Sequence, residues 1–446
     1  MRVETLDTSG LGDRSYVVVA DGIAVVIDPQ RDIDRVLSRV DAHAARITHV
    51  LETHLHNDYV TGGLELARTV GAEYVVPAGE DLGYQARRVG DGDVVDAGPF
   101  RLRVLHTPGH TLEHVSYALD DAAGRTVGVF TGGSMLFDAT GRTDLLGDEH
   151  TRDLTEAQFR SIRRLADELP DDAQVYPTHG FGSFCSATAV DRDESTVSEQ
   201  RQSNPALTND EETFVEELLA GLSDYPAYYA HMGVVNREGP EPVDLSRPRS
   251  TDVEELRRRI EAGEWVVDLR HRTAFAAGHL GGSFGFELSD SFVNYLGWLY
   301  AYGTPLSLIG ADEEQIDTAR RELARIGVDR IEGAARIDAV NRARSYPVAD
   351  FAELAARLDD DDVVVLDVRR TDEYDEGHVR GALNIALHHL AGRLGELPGG
   401  QVWVHCASGY RASVAASILD RGQVPVVLID DEYATAAELG ITTEGS

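Results

Sequence analysis

Three metal-ligating side chains lie within five positions of the segment Thr53-His54-Leu55-His56-Asn57-Asp58. The apolar, β-branched run at 47–51 predicts a buried strand whose end would deliver His54, His56 and Asp58 into a loop. Placed at alternating positions, the three side chains would converge on one side of that loop. Neutral imidazoles crowded against a carboxylate suit a divalent cation, so the pattern favours a metal site over solvated surface histidines.

Two further histidines follow strand-like segments. His110 belongs to His106-Thr107-Pro108-Gly109-His110, after the alternating run at 100–105, and the Pro-Gly pair predicts a turn with His110 at its tip. His179 belongs to Tyr176-Pro177-Thr178-His179-Gly180, after another apolar segment. Three strand-end loops that each offer histidine predict a shared site rather than scattered surface residues.

The three histidine motifs, in this order, resemble those of the metallo-β-lactamase fold, an αββα sandwich that binds metal at its sheet edges. The segment Gly141-Arg142-Thr143-Asp144 narrows the resemblance to the persulfide dioxygenase and hydroxyacylglutathione hydrolase branch, over roughly residues 1–245. The resemblance implies that Arg142 and Asp144 help to hold the substrate. It also implies that the metal ligands come from one set, which consists of His54, His56, Asp58, His110 and His179.

Two positions depart from the dioxygenase pattern. Gly133 stands where those enzymes have an aspartate ligand, and Tyr59 stands where histidine is usual, which predicts a single metal without a bridging carboxylate. The resemblance implies Fe(II), with Zn(II) as the alternative. The ligand set stays open between His54, His56 and His110 and a set in which Asp58 supplies a carboxylate. On the sequence alone, Gly133→Asp would restore that carboxylate and strengthen Fe(II) binding.

The second half of the chain contains an internal repeat. Asp268 and His279 recur as Asp367 and His378 at the same separation of 99 residues, which predicts a domain duplication. In each copy a strand ends in Asp-X-Arg, and a Gly-His-X-X-Gly segment follows an acidic or aromatic helix. Both copies resemble the rhodanese domain.

Only the second copy carries a cysteine at the end of a central strand, in Cys406-Ala407-Ser408-Gly409-Tyr410-Arg411. A thiol on a short loop before a helix meets backbone N–H groups and the positive end of the helix dipole, which stabilise thiolate and persulfide anions. The loop resembles the active loop of rhodaneses. That resemblance implies that Cys406 carries the transferred sulfur, that Arg411 is catalytic, and that Ser408 and Gly409 bind substrate.

The first copy has no cysteine at the position that corresponds to Cys406. The constant offset places Ser307 at the position of Cys406, and a small shift reaches Gly310 or Ala311, so this copy is predicted to be structural. The only other thiol is Cys185, whose glycine-rich segment lacks the loop and the arginine. We expect it to pack in the interior.

Composition excludes several classes of protein. The 446 residues carry a formal net charge of −36, with 77 acidic against 41 basic side chains, which argues against nucleic-acid and acidic-membrane partners. Two distant cysteines cannot form a disulfide framework, which favours a reducing cytoplasm. No apolar run approaches the ~18 residues of a membrane span and the N-terminus has no apolar core of a signal peptide, so we expect a soluble protein, with homo-oligomerisation left open.

The sequence therefore predicts an α/β protein with an αββα metallo-β-lactamase sandwich at 1–245 and two rhodanese-like three-layer α/β domains at 246–342 and 343–446. Its predicted function is to oxidise a low-molecular-weight thiol persulfide at one metal, with sulfurtransferase activity at Cys406 toward persulfide or thiosulfate. One alternative is a zinc-dependent thioester hydrolase fused to a sulfurtransferase. Another is a metal domain without activity beside a working sulfurtransferase.

Overall fold

The computed structural model describes residues 1–186, 192–340 and 343–444. The chain divides into two compact units, Met1–Asp244 with Leu323–Gly327, and Leu245–Glu322 with Val328–Ser446. The first unit contains the predicted metal domain, and the second contains both copies of the repeat that the sequence predicts to be rhodanese-like. The boundary predicted between those copies, after residue 342, lies outside the described residues.

The described residues of the first unit form two large sheets, one two-stranded sheet and seven helices. Its strands are β1 (Arg2–Thr8), β2 (Asp13–Ala20), β3 (Ile23–Ile27), β4 (Arg46–Leu51), β5 (Glu73–Pro77), β6 (Arg87–Val89), β7 (Val94–Asp96), β8 (Arg101–His106), β9 (Val115–Asp120), β10 (Thr126–Gly132), β11 (Met135–Leu136), β12 (Ala139–Thr140) and β13 (Gln174–Pro177). Its helices are α1 (Asp34–Asp41), α2 (Gly63–Val70), α3 (Asp148–Glu168), α4 (Val197–Ser203), α5 (Pro205–Thr208), α6 (Glu211–Gly221) and α7 (Tyr229–Glu238).

The two large sheets form the two inner layers of an αββα sandwich, as the resemblance predicted. One sheet has the order β1-β2-β3-β4-β5-β6 and the other β13-β10-β9-β8-β7. Because strand side chains alternate between faces, Val18 joins the core between the sheets while its neighbour Val17 packs outward with α1 and α2. On the opposite side, α3 and α6 cover the second sheet.

The chain begins with a β-hairpin, as the turn-forming dipeptide Asp21-Gly22 between two apolar runs indicates. Strands β2 and β3 pair antiparallel from Tyr16 with Ile27 to Ala20 with Ile23. Asp21 and Gly22 connect them with φ values of 47° and 75°, the left-handed conformation that a tight two-residue turn requires. The hairpin fixes the register of the sheet that carries β4.

The candidate ligand loops are joined to one another by backbone hydrogen bonds at the ends of β4, β8 and β13. The N–H of Val115 donates to the carbonyl of Thr53 at 2.9 Å, which ties the loop after β8 to the loop after β4. The N–H of Thr178 donates to the carbonyl of Gly132 at 3.0 Å, which ties β10 to the loop after β13. Side chains distant in sequence therefore meet at one sheet edge.

The described residues of the second unit form two parallel sheets and one antiparallel pair of strands. Its strands are β14 (Trp265–Asp268), β15 (Phe284–Gly285), β16 (Leu306–Gly310), β17 (Ile331–Arg336), β18 (Val348–Ala349), β19 (Val363–Asp367), β20 (Gly377–Val379), β21 (Leu383–Asn384), β22 (Gln401–His405), β23 (Val426–Ile429) and β24 (Thr442–Glu444). Its helices are α8 (Val253–Glu261), α9 (Arg272–Ala277), α10 (Phe292–Leu299), α11 (Glu313–Arg325), α12 (Phe351–Ala355), α13 (Thr371–Glu376), α14 (Leu387–Arg393), α15 (Tyr410–Arg421) and α16 (Tyr433–Glu438), with short 3-10 turns at Ile337–Ala339 and Leu394–Glu396. The last three residues of α11 fall in the stretch Leu323–Gly327 of the first unit.

Each rhodanese-like copy is built on its own parallel sheet, β15-β14-β16-β17 in the first and β18-β23-β22-β19-β21 in the second. In the second copy, Val365, Trp403 and Val427 pack with α12 and α16 on one face of the sheet. Helix α15, which follows the Cys406 loop, packs against β22 and β23. This arrangement agrees with the predicted three-layer α/β fold.

Strand pairing corrects the position assigned to Ser307. Asp268 pairs with Ile309 in the first copy and Asp367 pairs with His405 in the second, so Gly310, not Ser307, corresponds to Cys406. The first copy has three more residues between these two strands, which a constant offset cannot represent. Ser307 lies inside β16 and is fully buried.

The two copies contact each other along α15, the helix after the cysteine loop. The hydroxyl of Tyr410 donates to the carbonyl of Glu287 at 3.0 Å, and Nε2 of His279 lies 3.2 Å from a carboxylate oxygen of Asp420. Ten of the twelve residues of α15 are buried. The helix thus packs against its own sheet and against the copy that has no cysteine.

Among the helices of the described residues, none has the length and apolar content needed to cross a bilayer.

Candidate metal centre and cysteine loop

Three histidines from three separate loops meet in the interior of the first unit. His54, His110 and His179 are each at most 1% exposed. One potential ligand atom from each lies within 4.8 Å of the other two, and the Nε2 atoms of His54 and His179 are 3.3 Å apart. This spacing places several nitrogen donors around one point.

The outer ring nitrogens of His54 and His110 are already hydrogen-bonded. Nδ1 of His110 lies 2.8 Å from the carbonyl oxygen of Arg142, which can only accept, so Nδ1 carries the proton. Nδ1 of His54 lies 2.9 Å from the hydroxyl of Thr53, whose own proton goes to Asp28 at 2.7 Å. In both neutral rings the lone pair is therefore on Nε2, the nitrogen that faces the other histidines.

Two carboxylates orient His179. Its Nδ1 lies 2.9 Å from Oδ1 of Asp13 and 3.1 Å from Oδ2 of Asp58, and all three side chains are buried. A carboxylate on the far nitrogen of a ligating histidine fixes the ring and makes the other nitrogen a better donor. Asp58 thus lies behind His179. It also forms a second possible metal group with His56 and His179.

The Nε2 atom of His56 contacts two carboxylates and a tyrosine hydroxyl rather than the other histidines. Its Nε2 lies 3.3 Å from Asp28, 3.3 Å from Glu52 and 3.0 Å from the hydroxyl of Tyr59. Among the described residues, His56 is grouped with Asp28 and Glu52 or with Asp58 and His179, and not with His54 and His110. The ring nitrogens of His54, His56 and His110, the set considered from the sequence, thus do not all lie close together in this structure. The ligand assignment stays a prediction.

A further histidine, His114, lies beside the cluster with both ring nitrogens in use. Its Nε2 accepts the N–H of Gly133 at 3.0 Å, which leaves the ring proton on Nδ1, 2.9 Å from the hydroxyl of Thr107. His114 therefore supports Gly133 and has no lone pair to offer a metal.

The pKa values divide the four histidines into two groups. Burial, followed by nearby imidazoles, lowers the pKa of His54 well below its usual range and lowers that of His110 to about 3. Burial also acts on His179 and His56, but neighbouring carboxylates outweigh it and raise their pKa values to about 10 and about 9. A cation bound at His179 Nε2 would take the place of the proton held there.

Arg142 and Asp144, predicted to hold substrate, are paired with each other. The guanidinium makes two 2.7 Å hydrogen bonds to Asp144 and others to the carbonyls of Phe184 and Ser223, and Arg142 is only 3% exposed. Binding a substrate anion would require Arg142 to give up one of these partners. The arrangement instead favours a role in positioning, because the carbonyl of Arg142 holds His110.

In the second unit, the cysteine loop has the conformation predicted for an anion cradle. Cys406 follows β22 and is 2% exposed, and the N–H groups of Ala407, Ser408 and Gly409 donate to no other described residue. They lie at the start of α15, where the helix dipole is positive. Unpaired N–H groups next to a thiol stabilise a negatively charged sulfur.

Gly409 and Ser408 differ in surroundings. Gly409 is buried with φ of 86°, and a Cβ there would collide with Asp430 and lie 3.3 Å from Nε of Arg272, so only glycine fits. Ser408 is exposed on the loop. The side chain is therefore accessible, and its contact with substrate stays a prediction.

Arg411 forms a two-point ion pair with Glu373. Its Nη1 and Nη2 lie 2.5 Å and 2.7 Å from the two carboxylate oxygens, and the Arg411 side chain is 13% exposed. Burial lowers the pKa of Arg411, but this ion pair outweighs it and raises the pKa above its usual value. The guanidinium is therefore a fixed positive charge near Cys406.

We expect Glu373→Gln to lower the kcat/KM of sulfur transfer about tenfold, because loss of a charge-assisted pair worth about 1.5 kcal/mol frees Arg411. Glu376→Gln, on the exposed face of the same helix, is the matched control and should change nothing. Steady-state kinetics with a thiosulfate donor give the measurement. An unchanged kcat/KM in Glu373→Gln would show that Arg411 needs no such anchor.

Cys185 lies in the interior of the first unit. It is fully buried, burial raises its pKa well above the usual value, and its carbonyl accepts the N–H of Arg142 at 2.9 Å. A neutral, enclosed thiol is a poor nucleophile, which supports the predicted packing role.

Some supporting residues were not foreseen from the sequence. Asp13 and Thr53 orient His179 and His54, and Glu373 anchors Arg411. A weak signal existed for Thr53, which directly precedes the first ligand. Asp13 is far from His179 in sequence, so only the tertiary structure pairs them.

Comparison with known proteins places the chain in a family. A model of the metallo-β-lactamase superfamily matches residues 10–179, and a model of the rhodanese-like domain matches residues 350–434. The chain is 31% identical over 228 residues to the mitochondrial persulfide dioxygenase ETHE1 of Bos taurus, covering 50% of this chain and 77% of that protein. It is 32% identical over 214 residues to the hydroxyacylglutathione hydrolase of Photobacterium profundum, covering 48% and 75%.

One solved structure is similar to this chain over more of its length. The crystal structure of a metallo-β-lactamase from Staphylococcus aureus is 29% identical, with a TM-score of 0.68, and it covers 75% of this chain and 99% of that chain. The chain therefore belongs to the metallo-β-lactamase superfamily and has a rhodanese-like domain in its C-terminal part. Within the superfamily it is a homologue of the persulfide dioxygenases, and this combination supports a role in sulfur metabolism.

Proposed function

We propose that this protein oxidises a low-molecular-weight thiol persulfide at a single divalent metal in its first unit and transfers sulfane sulfur at Cys406 in its second. The observation that carries the proposal is the group of three buried imidazoles whose ring nitrogens converge on one point, because such donors suit a metal and Nε2 of His110 has no hydrogen-bond partner among the described residues. The homology to persulfide dioxygenases supports sulfur as the substrate element.

The residues present fit a metal. Nε2 of His110 is buried without a hydrogen-bond partner, an arrangement that is costly unless a ligand completes it. Fe(II), when bound, would supply the site at which dioxygen and a persulfide react. The chain's own residues hold the imidazoles in one tautomer, through Thr53, Asp13 and the Arg142 carbonyl, and their burial excludes bulk water.

The overall oxidation balances as one persulfide, one dioxygen and one water giving one thiol, one sulfite and two protons. The sulfane sulfur loses four electrons and dioxygen gains them. At Cys406 no oxidant is needed: the thiolate attacks the sulfane sulfur of the donor and the donor's S–S bond breaks. A thiol persulfide then leaves as a thiolate, thiosulfate leaves as sulfite, and Cys406 keeps a persulfide. The free N–H groups of Ala407 and Gly409 and the charge of Arg411 would stabilise that anion.

A zinc-dependent thioester hydrolase is the second candidate. Three neutral imidazoles with an open position are the donor set of some catalytic zinc sites, and the chain is similar to a hydroxyacylglutathione hydrolase. The sulfurtransferase at Cys406 would be the same under either candidate.

Protein purified without oxygen distinguishes the candidates. Bound iron together with persulfide-dependent oxygen uptake and sulfite release would support the first candidate. Bound zinc with thioester hydrolysis and no oxygen uptake would replace it with the second. Sulfur transfer alone, with neither metal nor the other two activities, would leave only the sulfurtransferase.

A further inference from the structure

The structure accounts for Gly133, the position at which dioxygenase relatives of the metal domain are expected to have an aspartate. A Cβ added to Gly133 would overlap Cδ2 of His110 and lie 2.6 Å from Cγ and 2.8 Å from Nε2 of that ring. Such separations are far below van der Waals contact. The imidazole of His110 therefore occupies the space into which a side chain at position 133 would project.

His110 is held in this place by a hydrogen bond and by close packing. Its Nδ1 donates to the carbonyl of Arg142, and the ring lies so near Gly141 that a Cβ there would be 2.9 Å from the same nitrogen. Gly133 itself is anchored by its N–H to His114. Neither the ring nor the glycine can shift to admit a side chain without breaking one of these hydrogen bonds.

His179 supplies a third donor in place of the missing aspartate. Its Nε2 faces Nε2 of His54 at 3.3 Å, while Asp13 and Asp58 hold its Nδ1 from behind. Asp58 thus lies beside Nδ1 of His179, on the side of the ring away from Nε2, and it is not grouped with His54 and His110. Nε2 of His56 is directed at Asp28 and Glu52; its Nδ1 is buried without a hydrogen-bond partner, but the ring is not grouped with His54 and His110.

From this geometry we infer that the metal of this chain is bound by His54, His110 and His179, and that Gly133 provides the space for His110 instead of marking a lost ligand. The inference depends on the metal required by the proposed function, but not on the reaction. It also reverses the expectation, drawn from the sequence, that Gly133→Asp would improve iron binding.

Metal binding by variants tests the ligand set without any substrate. Apoprotein is titrated with Fe(II) under nitrogen and separately with Zn(II) and Co(II). We expect His179→Gln to weaken binding more than about 100-fold, as a ligand loss should. His56→Gln should retain one metal per chain within about threefold of the unchanged protein's affinity. The reverse pattern, loss in His56→Gln and retention in His179→Gln, would overturn the inference.

Substitution at Gly133 tests the space that His110 needs. Gly133→Ala adds a methyl group and no ligand, and its φ is outside the left-handed region, so backbone strain does not interfere. We expect it to weaken Zn(II) and Fe(II) binding about tenfold or more. Gly90→Ala, at a glycine with nothing within 4 Å, is the matched control and should bind normally. Undiminished affinity in Gly133→Ala, or tighter Fe(II) binding in Gly133→Asp, would contradict the inference.

The unsubstituted protein gives a measurement that does not depend on how the variants fold. X-ray absorption spectra of the Zn(II) and Fe(II) forms should fit three imidazole nitrogens and no carboxylate from the protein. A fit with two imidazoles and a carboxylate, or no metal bound at all, would overturn the ligand set. If three imidazoles are found but no persulfide is oxidised, the ligand set stands and only the proposed function fails.

Discussion

Replacing Cys406 with serine is expected to abolish sulfur transfer from thiosulfate or a thiol persulfide. A hydroxyl cannot form the persulfide intermediate, and the corresponding position in the first copy, Gly310, offers no second thiol. Release of thiocyanate with cyanide as the acceptor measures the loss. The same variant should still consume oxygen when a thiol persulfide is supplied directly, because the candidate metal ligands lie in the first unit.

Mass spectrometry identifies the thiol that carries sulfur. After exposure to a donor, the unsubstituted protein should gain the mass of one sulfur on the peptide that contains Cys406. Cys185→Ala is the control and should transfer sulfur at the normal rate, because its thiol is fully buried. A stable sulfur adduct on Cys185, or full activity in Cys406→Ser, would reject the assignment.

The second large effect is expected at His54 and His110. His54→Ala and His110→Ala should each lose most of the bound metal and, with it, persulfide-dependent oxygen uptake. Each histidine comes from a different loop, so its neighbour cannot replace it. Sulfur transfer at Cys406 should continue in both variants. Metal analysis and an oxygen electrode, applied to the same preparations, provide the two readings.

His150→Ala is the control for these variants, because His150 is an exposed histidine of the first unit. It should bind metal and consume oxygen as the unsubstituted protein does. Thermal unfolding shows whether each variant is folded. Full metal content in folded His54→Ala and His110→Ala would exclude these histidines as ligands.

The sequence was most informative where the signal is local. The hairpin around Asp21 and Gly22 can be recognised from the sequence because its turn depends on two adjacent residues. The loops that carry His54, His110 and His179 could be placed after strands because alternation and Pro-Gly turns are local patterns. The αββα sandwich followed from the order of these motifs through resemblance.

Side-chain directions could not be predicted in the same way. Nothing near His56 in sequence indicates that Asp28 would draw its ring away from His110, and nothing near Gly133 indicates that His110 would fill its space. Both depend on contacts between residues many positions apart. Ser307 shows a related limit, since an insertion of three residues shifts the equivalence to Gly310.

The burial of α15 between the two rhodanese-like copies has a consequence for cooperativity. Tyr410 at the start of the helix and Asp420 near its end both bond to the first copy, so the helix that orients the Cys406 loop belongs to a core shared by both. Loss of either copy would expose that apolar surface, and unfolding of one should therefore carry the other with it. The copy without a cysteine is then half of the folding unit that keeps the thiol of Cys406 in place.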